Sequence, residues 1–220
     1  MRPRTHRGDA TKIAVIGATG RTGRPLVAEL PRRRHDITVL VRDPVKLGEL
    51  AEQVRVVTGD SSTRSDLDRL VAGTDAVVSA LGPIAKEASL HTETATALVG
   101  AMNAAGVRRF VGVSGAGIDV PGDQKFFFAK VISKAIQTLG GELVKDKPAE
   151  HEVYAASDLA WTLVRPPRLV DGDATGRLEH HAHRSTKSTK ITRADLAALL
   201  ADVVEQDFYQ RQAPFVATAR

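Results

Sequence analysis

The stretch Gly17-Ala18-Thr19-Gly20-Arg21-Thr22-Gly23 constrains this chain more than any other. The apolar run Ile13-Ala14-Val15-Ile16 precedes it, and Leu26, Val27 and Leu30 follow at helical spacing. A buried strand, a glycine-rich turn and a helix N-terminus in that order form a cradle for a pyrophosphate. Gly17 allows the tight turn, Gly20 lets phosphates approach the backbone, and Gly23 lets the helix pack on the strand. Thr19, Arg21 and Thr22 share that turn, where unpaired helix N–H groups and the helix dipole face the anion. The spacing is G-x-x-G-x-x-G rather than G-x-G-x-x-G, so the flanking strand and helix carry the assignment.

The same alternation repeats down the chain. Strands are expected at 37–41, 54–57, 75–78, 108–113 and 161–164, with helical patterns between them. This predicts an α/β chain, a single-domain Rossmann fold with a doubly wound, mostly parallel sheet. At 220 residues one domain can bury a sizeable core. Residues 1–10 are polar and basic and read as a disordered arm, leaving 11–220 as the dinucleotide-binding domain.

Finer features follow from local chemistry. Residues 31–36 read as a charged connection, and Thr63-Arg64-Ser65-Asp66 as a capping box before Leu67, Leu70 and Val71. Leu90, Thr94, Leu98, Met102 and Ala105 line one face of a long helix. Residues 124–139, with Phe126, Phe127 and Phe128, form either a helix covering the site or a substrate-side wall. Asp146-Lys147-Pro148 is expected to start a helix with Ala149, Val153 and Ala156 inward and Glu150 on another side. Residues 168–190 read as a solvated loop, Thr192 to Asp195 as the cap of a last helix, and 214–217 as an edge strand.

In a doubly wound sheet the ends of the first, fourth and fifth strands lie side by side at the ligand crevice. The second strand ends in Arg42, Asp43 and, nearby, Lys46. A guanidinium there suits the 2′-phosphate of NADP(H), which is favoured over NAD(H); the other reading sends Arg42 to solvent and gives the ribose hydroxyl to Asp43. Asp60 and Ser61, after the third strand, are placed to reach the adenine edge. Ala80, Leu81 and Gly82 leave room for ribose and nicotinamide. Ser114, after the fifth strand, is the first hydroxyl expected to face substrate, its other reading being a cap on the next turn. Pro166 and Pro167 stiffen the end of the sixth strand.

Composition removes other classes. The chain has no cysteine, so disulfides, thiolate metal sites and cysteine nucleophiles are out. No apolar run reaches membrane-spanning length, and no apolar signal core follows the basic N-terminus. A cytoplasmic protein without a membrane partner is the expectation. The net charge of +5 is scattered, including Arg32-Arg33-Arg34, and no stacking aromatics accompany it, so no nucleic-acid partner is expected. His180, His181 and His183 belong to the polar loop, and no metal ligands are assigned.

These motifs together resemble the atypical short-chain dehydrogenase/reductase group, in its NAD(P)H-binding, NmrA-like division and most closely its flavin reductase/biliverdin reductase B branch. The likeness runs from Lys12 to near the C-terminus. It rests on GATGRTG, on Thr38-Val39-Leu40-Val41-Arg42-Asp43, on Val71 to Val77, and on Ser157 through Trp161-Thr162-Leu163-Val164-Arg165-Pro166-Pro167 to Gly176. It implies NADPH across the strand ends, with Arg42 on the 2′-phosphate, Ser114 near the nicotinamide, and Pro166 and Pro167 bordering that pocket. One departure matters: where alcohol-active members carry Tyr-x-x-x-Lys, this chain has Phe126 and Lys130 at the corresponding spacing. Phenylalanine has no acidic proton. An NADPH-dependent oxidoreductase passing hydride to a flavin, quinone or similar conjugated acceptor tolerates that loss, with Ser114 and Lys147 as candidate catalytic residues. The alternative is an NADP(H)-binding redox sensor of NmrA type. The resemblance implies a small-molecule, flavin-like partner and a monomer or weak homodimer.

Overall fold

The computed structural model describes residues 10–82, 87–126 and 141–219, with 141–145 as backbone alone. Six parallel strands form the central sheet: β1 (Lys12–Ile16), β2 (Asp36–Val41), β3 (Arg55–Thr58), β4 (Ala76–Ser79), β5 (Arg109–Val113) and β6 (Ala160–Val164). Their order is β3-β2-β1-β4-β5-β6, so the carboxyl ends of β1, β4 and β5 are neighbours, as the alternation predicts. β1 lies between β2 and β4, and all its residues after Lys12 are buried. Its alternate side chains enter opposite layers: Ile13 and Val15 one, Ala14 and Ile16 the other.

Helices α1 (Gly23–Arg32) and α5 (Arg193–Glu205) fill the layer around Ile13 and Val15 through Leu26, Val27, Leu30, Leu196, Leu200 and Val203. On the opposite face, α2 (Arg64–Val71), α3 (Leu90–Ala105) and α4 (Gly141–Ala156) cover Ala14 and Ile16 with Leu67, Leu98, Met102 and Tyr154. This is the doubly wound arrangement.

Several local expectations need correction. α1 runs through Pro31 to Arg32, so the connection is shorter than its charges imply. Arg33 is no free surface cation, because it bonds Glu29 and Asp202 at 2.8 and 2.6 Å. The capping box before α2 does not form: the Thr63 side chain caps nothing, and the Asp66 carboxylate accepts from the Asp60 N–H at 2.8 Å. Ala105 is exposed, although Leu90, Thr94, Leu98 and Met102 are buried. α4 begins at Gly141 rather than beside Pro148, which sits inside it. Its inward residues are Asp146, Glu150 and Tyr154, while Ala156 is exposed. Spacing of four puts those three on one face; polar character hid that face in the sequence.

The segment read as a solvated loop holds two short strands, β7 (Arg168–Val170) and β8 (Leu178–His181), and a third, β9 (Lys190–Thr192), begins at its last residue. β7 pairs in parallel with β9, and β8 pairs antiparallel with β10 (Phe215–Thr218), the expected edge strand. The Thr192 hydroxyl accepts from the Asp195 N–H at 3.0 Å and caps α5 as expected. No helix among the described residues is long and apolar enough to cross a membrane. The arm residues 1–9 and Phe127, Phe128 and Lys130 lie outside the described residues.

Candidate dinucleotide site

At the carboxyl ends of β1, β2, β3 and β4 opens a cavity of about 600 Å³. Gly17, Thr19, Gly20, Arg21 and Thr22 line it from the glycine-rich turn. Arg42 comes from the end of β2, Asp60 and Ser61 from β3, and Ala80, Leu81 and Gly82 from β4. Glu87, Leu90, Leu169 and Arg193 also line it, and none of these four is a site residue that the sequence pattern picks out.

Backbone geometry explains the glycines. Gly17 has φ of +78°, and a Cβ there would stand 2.8 Å from the Ala80 carbonyl. The turn closes through Gly20 N–H to Gly17 O at 3.0 Å. Gly23 does not line the cavity; it is buried, and a Cβ on it would lie 2.0 Å from the Gly17 oxygen. α1 therefore starts directly against the turn, with Arg24 N–H on Gly20 O at 3.0 Å, and a helix N-terminus so placed favours an anion.

Where β2 ends, Arg42 donates to Glu87 Oε1 at 3.2 Å, with Asp60 at 3.9 Å. Bonds from the Ser62 backbone, followed by its hydroxyl and the Arg42 charge, hold the Asp60 carboxyl below its ordinary range against burial. Asp43 turns away and caps the following 3-10 segment (Pro44–Gln53) by accepting from Val45 N–H at 3.1 Å.

Ser114, Lys147, Pro166 and Pro167 do not line this cavity. Ser114, Lys147 and Pro166 are gathered at the adjoining ends of β5 and β6. Ser114 N–H donates to Val164 O at 2.8 Å, and Ala116 N–H to Pro166 O at 3.0 Å. The Ser114 hydroxyl is buried with no partner among the described residues, so it caps no turn. Lys147 reaches the same place from α4, donating to Val113 O at 3.0 Å, His91 Nδ1 at 3.0 Å and Glu150 at 2.9 Å. An ammonium only donates, so His91 carries its proton on Nε2. Burial, then the Lys147 charge, pushes His91 down to about 3 and keeps it neutral. Burial raises the Glu150 carboxyl, opposed by Lys147. Next to Lys147, Asp146 accepts from the His91 and Thr92 N–H groups at 2.8 and 2.9 Å and caps α3.

The turn after Ser114 is clamped from below. Fully buried Arg165 forms a bidentate pair with Asp123 at 2.6 and 2.7 Å and donates to Ala213 O at 2.6 Å. Its guanidinium lies 3.7 Å from the centre of the Phe215 ring. Lys125 adds bonds to Ile118 O and Asp119 at 2.8 and 2.6 Å. Phe126 stands exposed, its N–H on the Ser185 hydroxyl at 3.0 Å. His180 bonds the Tyr209 hydroxyl at 2.6 Å, and His181 accepts from the His183 N–H at 3.1 Å.

Comparison with known proteins agrees with a dinucleotide-binding fold. The chain is 28% identical over 237 residues to oxidoreductase stcQ of Emericella nidulans, covering 94% of this chain and 83% of that one. It is 32% identical over 158 residues to ceramide reductase of Caulobacter vibrioides, covering 71% of this chain but 46% of that protein. A short-chain dehydrogenase/reductase from Veillonella parvula DSM 2008, solved with NADP, shares the fold with a TM-score of 0.79 at 20% identity, covering 95% of each chain. Residues 17–207 match the family described as NAD(P)H-binding, and the chain belongs to that family.

Proposed function

We propose that the protein is an NADPH-dependent reductase that passes hydride to an electron-poor conjugated acceptor of flavin or quinone type. The carrying observation is the placement of the tyrosines. The chain has two, Tyr154 and Tyr209. Tyr154 is buried and stacked on Phe110 at 4.2 Å, and burial, then the Glu150 charge, holds its hydroxyl well above the ordinary value. It is about 10 Å along α4 from Lys147, at 1.5 Å per residue. Tyr209 is engaged with His180. Four residues before Lys147 stands Leu143, so the lysine at the end of β5 has no tyrosine at that spacing. A ketone or alcohol substrate needs a phenol-type acid close to its oxygen; a conjugated acceptor spreads the incoming charge and takes its proton from solvent.

When bound, the dinucleotide supplies the hydride. The residues of this chain bind and orient it: the glycine-rich turn takes the pyrophosphate and Arg42 the 2′-phosphate, while Ser114 donates its hydroxyl toward the acceptor. Lys147 holds a fixed positive charge beside that hydroxyl, and His91 and Glu150 position the ammonium. The relatives named as an oxidoreductase and a reductase support hydride chemistry.

The test follows reduced-nicotinamide absorbance with NADPH and a panel of FMN, riboflavin and quinones. Acceptor-dependent NADPH loss, slower with NADH and reduced about tenfold or more in Ser114→Ala, is expected. Tight NADPH binding with no turnover on any acceptor would replace this reading with a sensing role.

A further inference from the structure

Arg21, on the glycine-rich turn, and Arg193, at the first position of α5, both line the cavity. Between them sits a single carboxylate: Asp171 Oδ2 accepts from Arg21 Nη2 at 2.7 Å, and Oδ1 from Arg193 Nη1 at 2.7 Å. The three differ in setting. Arg21 and Asp171 side chains are 73% and 69% exposed, whereas Arg193 is only 12% exposed. Arg193 Nε is buried and has no partner among the described residues. A mostly buried guanidinium with an unused donor and one exposed carboxylate is incompletely satisfied. Its planar fork suits a phosphate, and it shares its cavity with the turn that cradles one.

We propose that Arg193 is a second anchor for the pyrophosphate of the dinucleotide, in addition to the glycine-rich turn, and that Asp171 is a built-in counter-anion which the pyrophosphate displaces. The inference rests on the dinucleotide half of the reading above and is independent of the acceptor. Arg21 and Arg193 are held ready by Asp171, so the cation pair is organised before the cofactor arrives. The cost is competition, because the carboxylate must give up both arginines. Arg21, and after it Arg193, holds the Asp171 carboxyl below its ordinary range, so this competition persists at neutral pH.

The experiment measures Kd for NADPH by nicotinamide fluorescence without acceptor. Arg193→Ala is expected to weaken binding about ten- to a hundredfold, the range for losing a partly buried charge-assisted bond. Asp171→Asn is expected to tighten it about two- to fivefold, a gain that disappears in about 1 M salt, because Asp171 is an exposed charge. If Arg193→Ala does not fold, Asp171→Asn and Arg21→Ala, both at exposed positions, carry the test with opposite expected signs. Unchanged or weaker binding in Asp171→Asn overturns the counter-anion role. The phosphate of an acceptor such as FMN has the same chemistry. An Arg193→Ala variant with unchanged NADPH Kd but raised KM for FMN relative to riboflavin would assign Arg193 to the acceptor and overturn the anchor. If the wild-type protein reduces no acceptor while these Kd shifts hold, the reductase reading fails and the anchor stands.

Discussion

The position a Cβ would take on Gly23 lies 2.0 Å from the carbonyl oxygen of Gly17. The obstacle is backbone, so no rotamer change relieves it. Gly23→Ala must therefore pull the start of α1 away from the turn. Overpacking of this kind costs about 1–3 kcal/mol or more. We expect Gly23→Ala to lower Tm by at least about 3 °C in thermal unfolding and to weaken NADPH binding as well. Unchanged stability and Kd would show that the helix can shift freely.

Arg42 meets two carboxylates, Glu87 at 3.2 Å and Asp60 at 3.9 Å. A 2′-phosphate at Arg42 would have Glu87 as a neighbour. Arg42→Ala should reduce the preference for NADPH over NADH about tenfold, and Glu87→Gln should raise it two- to fivefold, roughly the worth of an exposed charge. Paired Kd titrations with the two cofactors check both signs. Equal losses for the two cofactors in Arg42→Ala would remove Arg42 from the 2′-phosphate.

Asp123→Asn leaves the Arg165 guanidinium buried without its counter-charge. Breaking one partner of such a pair costs about 3–5 kcal/mol. Denaturant unfolding should show that loss. Turnover should fall as well, because Asp123 and Arg165 fix the turn that begins at Ser114.

His91 links stability to pH. Its ordinary value is 6.5, and the folded protein holds it at about 3. Between those values the unfolded chain binds a proton that the folded one does not. Stability from this group is therefore complete above about 6.5 and is lost as pH falls, by up to about 1.4 kcal/mol per pH unit. Burial, then the Arg165 charge, lowers His151 too, which adds in the same direction. His91→Gln should flatten the stability profile between pH 4.5 and 6.5 by about one proton. An unchanged slope would mean that His91 accepts a proton in the fold.

Sequence order alone carries much of this molecule. Glycine spacing and strand alternation locate the turn, the sheet order and most residues lining the cavity, since both follow from backbone geometry. Arg193 is invisible at that level because it comes from an element distant in the chain that only folding brings to the cavity, and Glu87 because it belongs to no periodic segment. The α4 face of Asp146, Glu150 and Tyr154 is hidden for a related reason. Two of its members are charged, and their burial goes with polar partners, Asp146 with the start of α3 and Glu150 with Lys147 of α4 itself, rather than with hydrophobicity. The strands after β6 are three or four residues long and, among the described residues, pair with one another or with β10, so they are too short for an apolar period to announce them.

The Asp146 carboxylate at the N-terminus of α3 acts as an index pin between two helices. Such a cap fits only one turn of its partner. Because Lys147 is the next residue, the height of its ammonium along β5 is set by that cap. The dipeptide Asp146-Lys147 must therefore move as one unit. A sequence that shifted it by a single position would place a carboxylate where the ammonium now meets Val113.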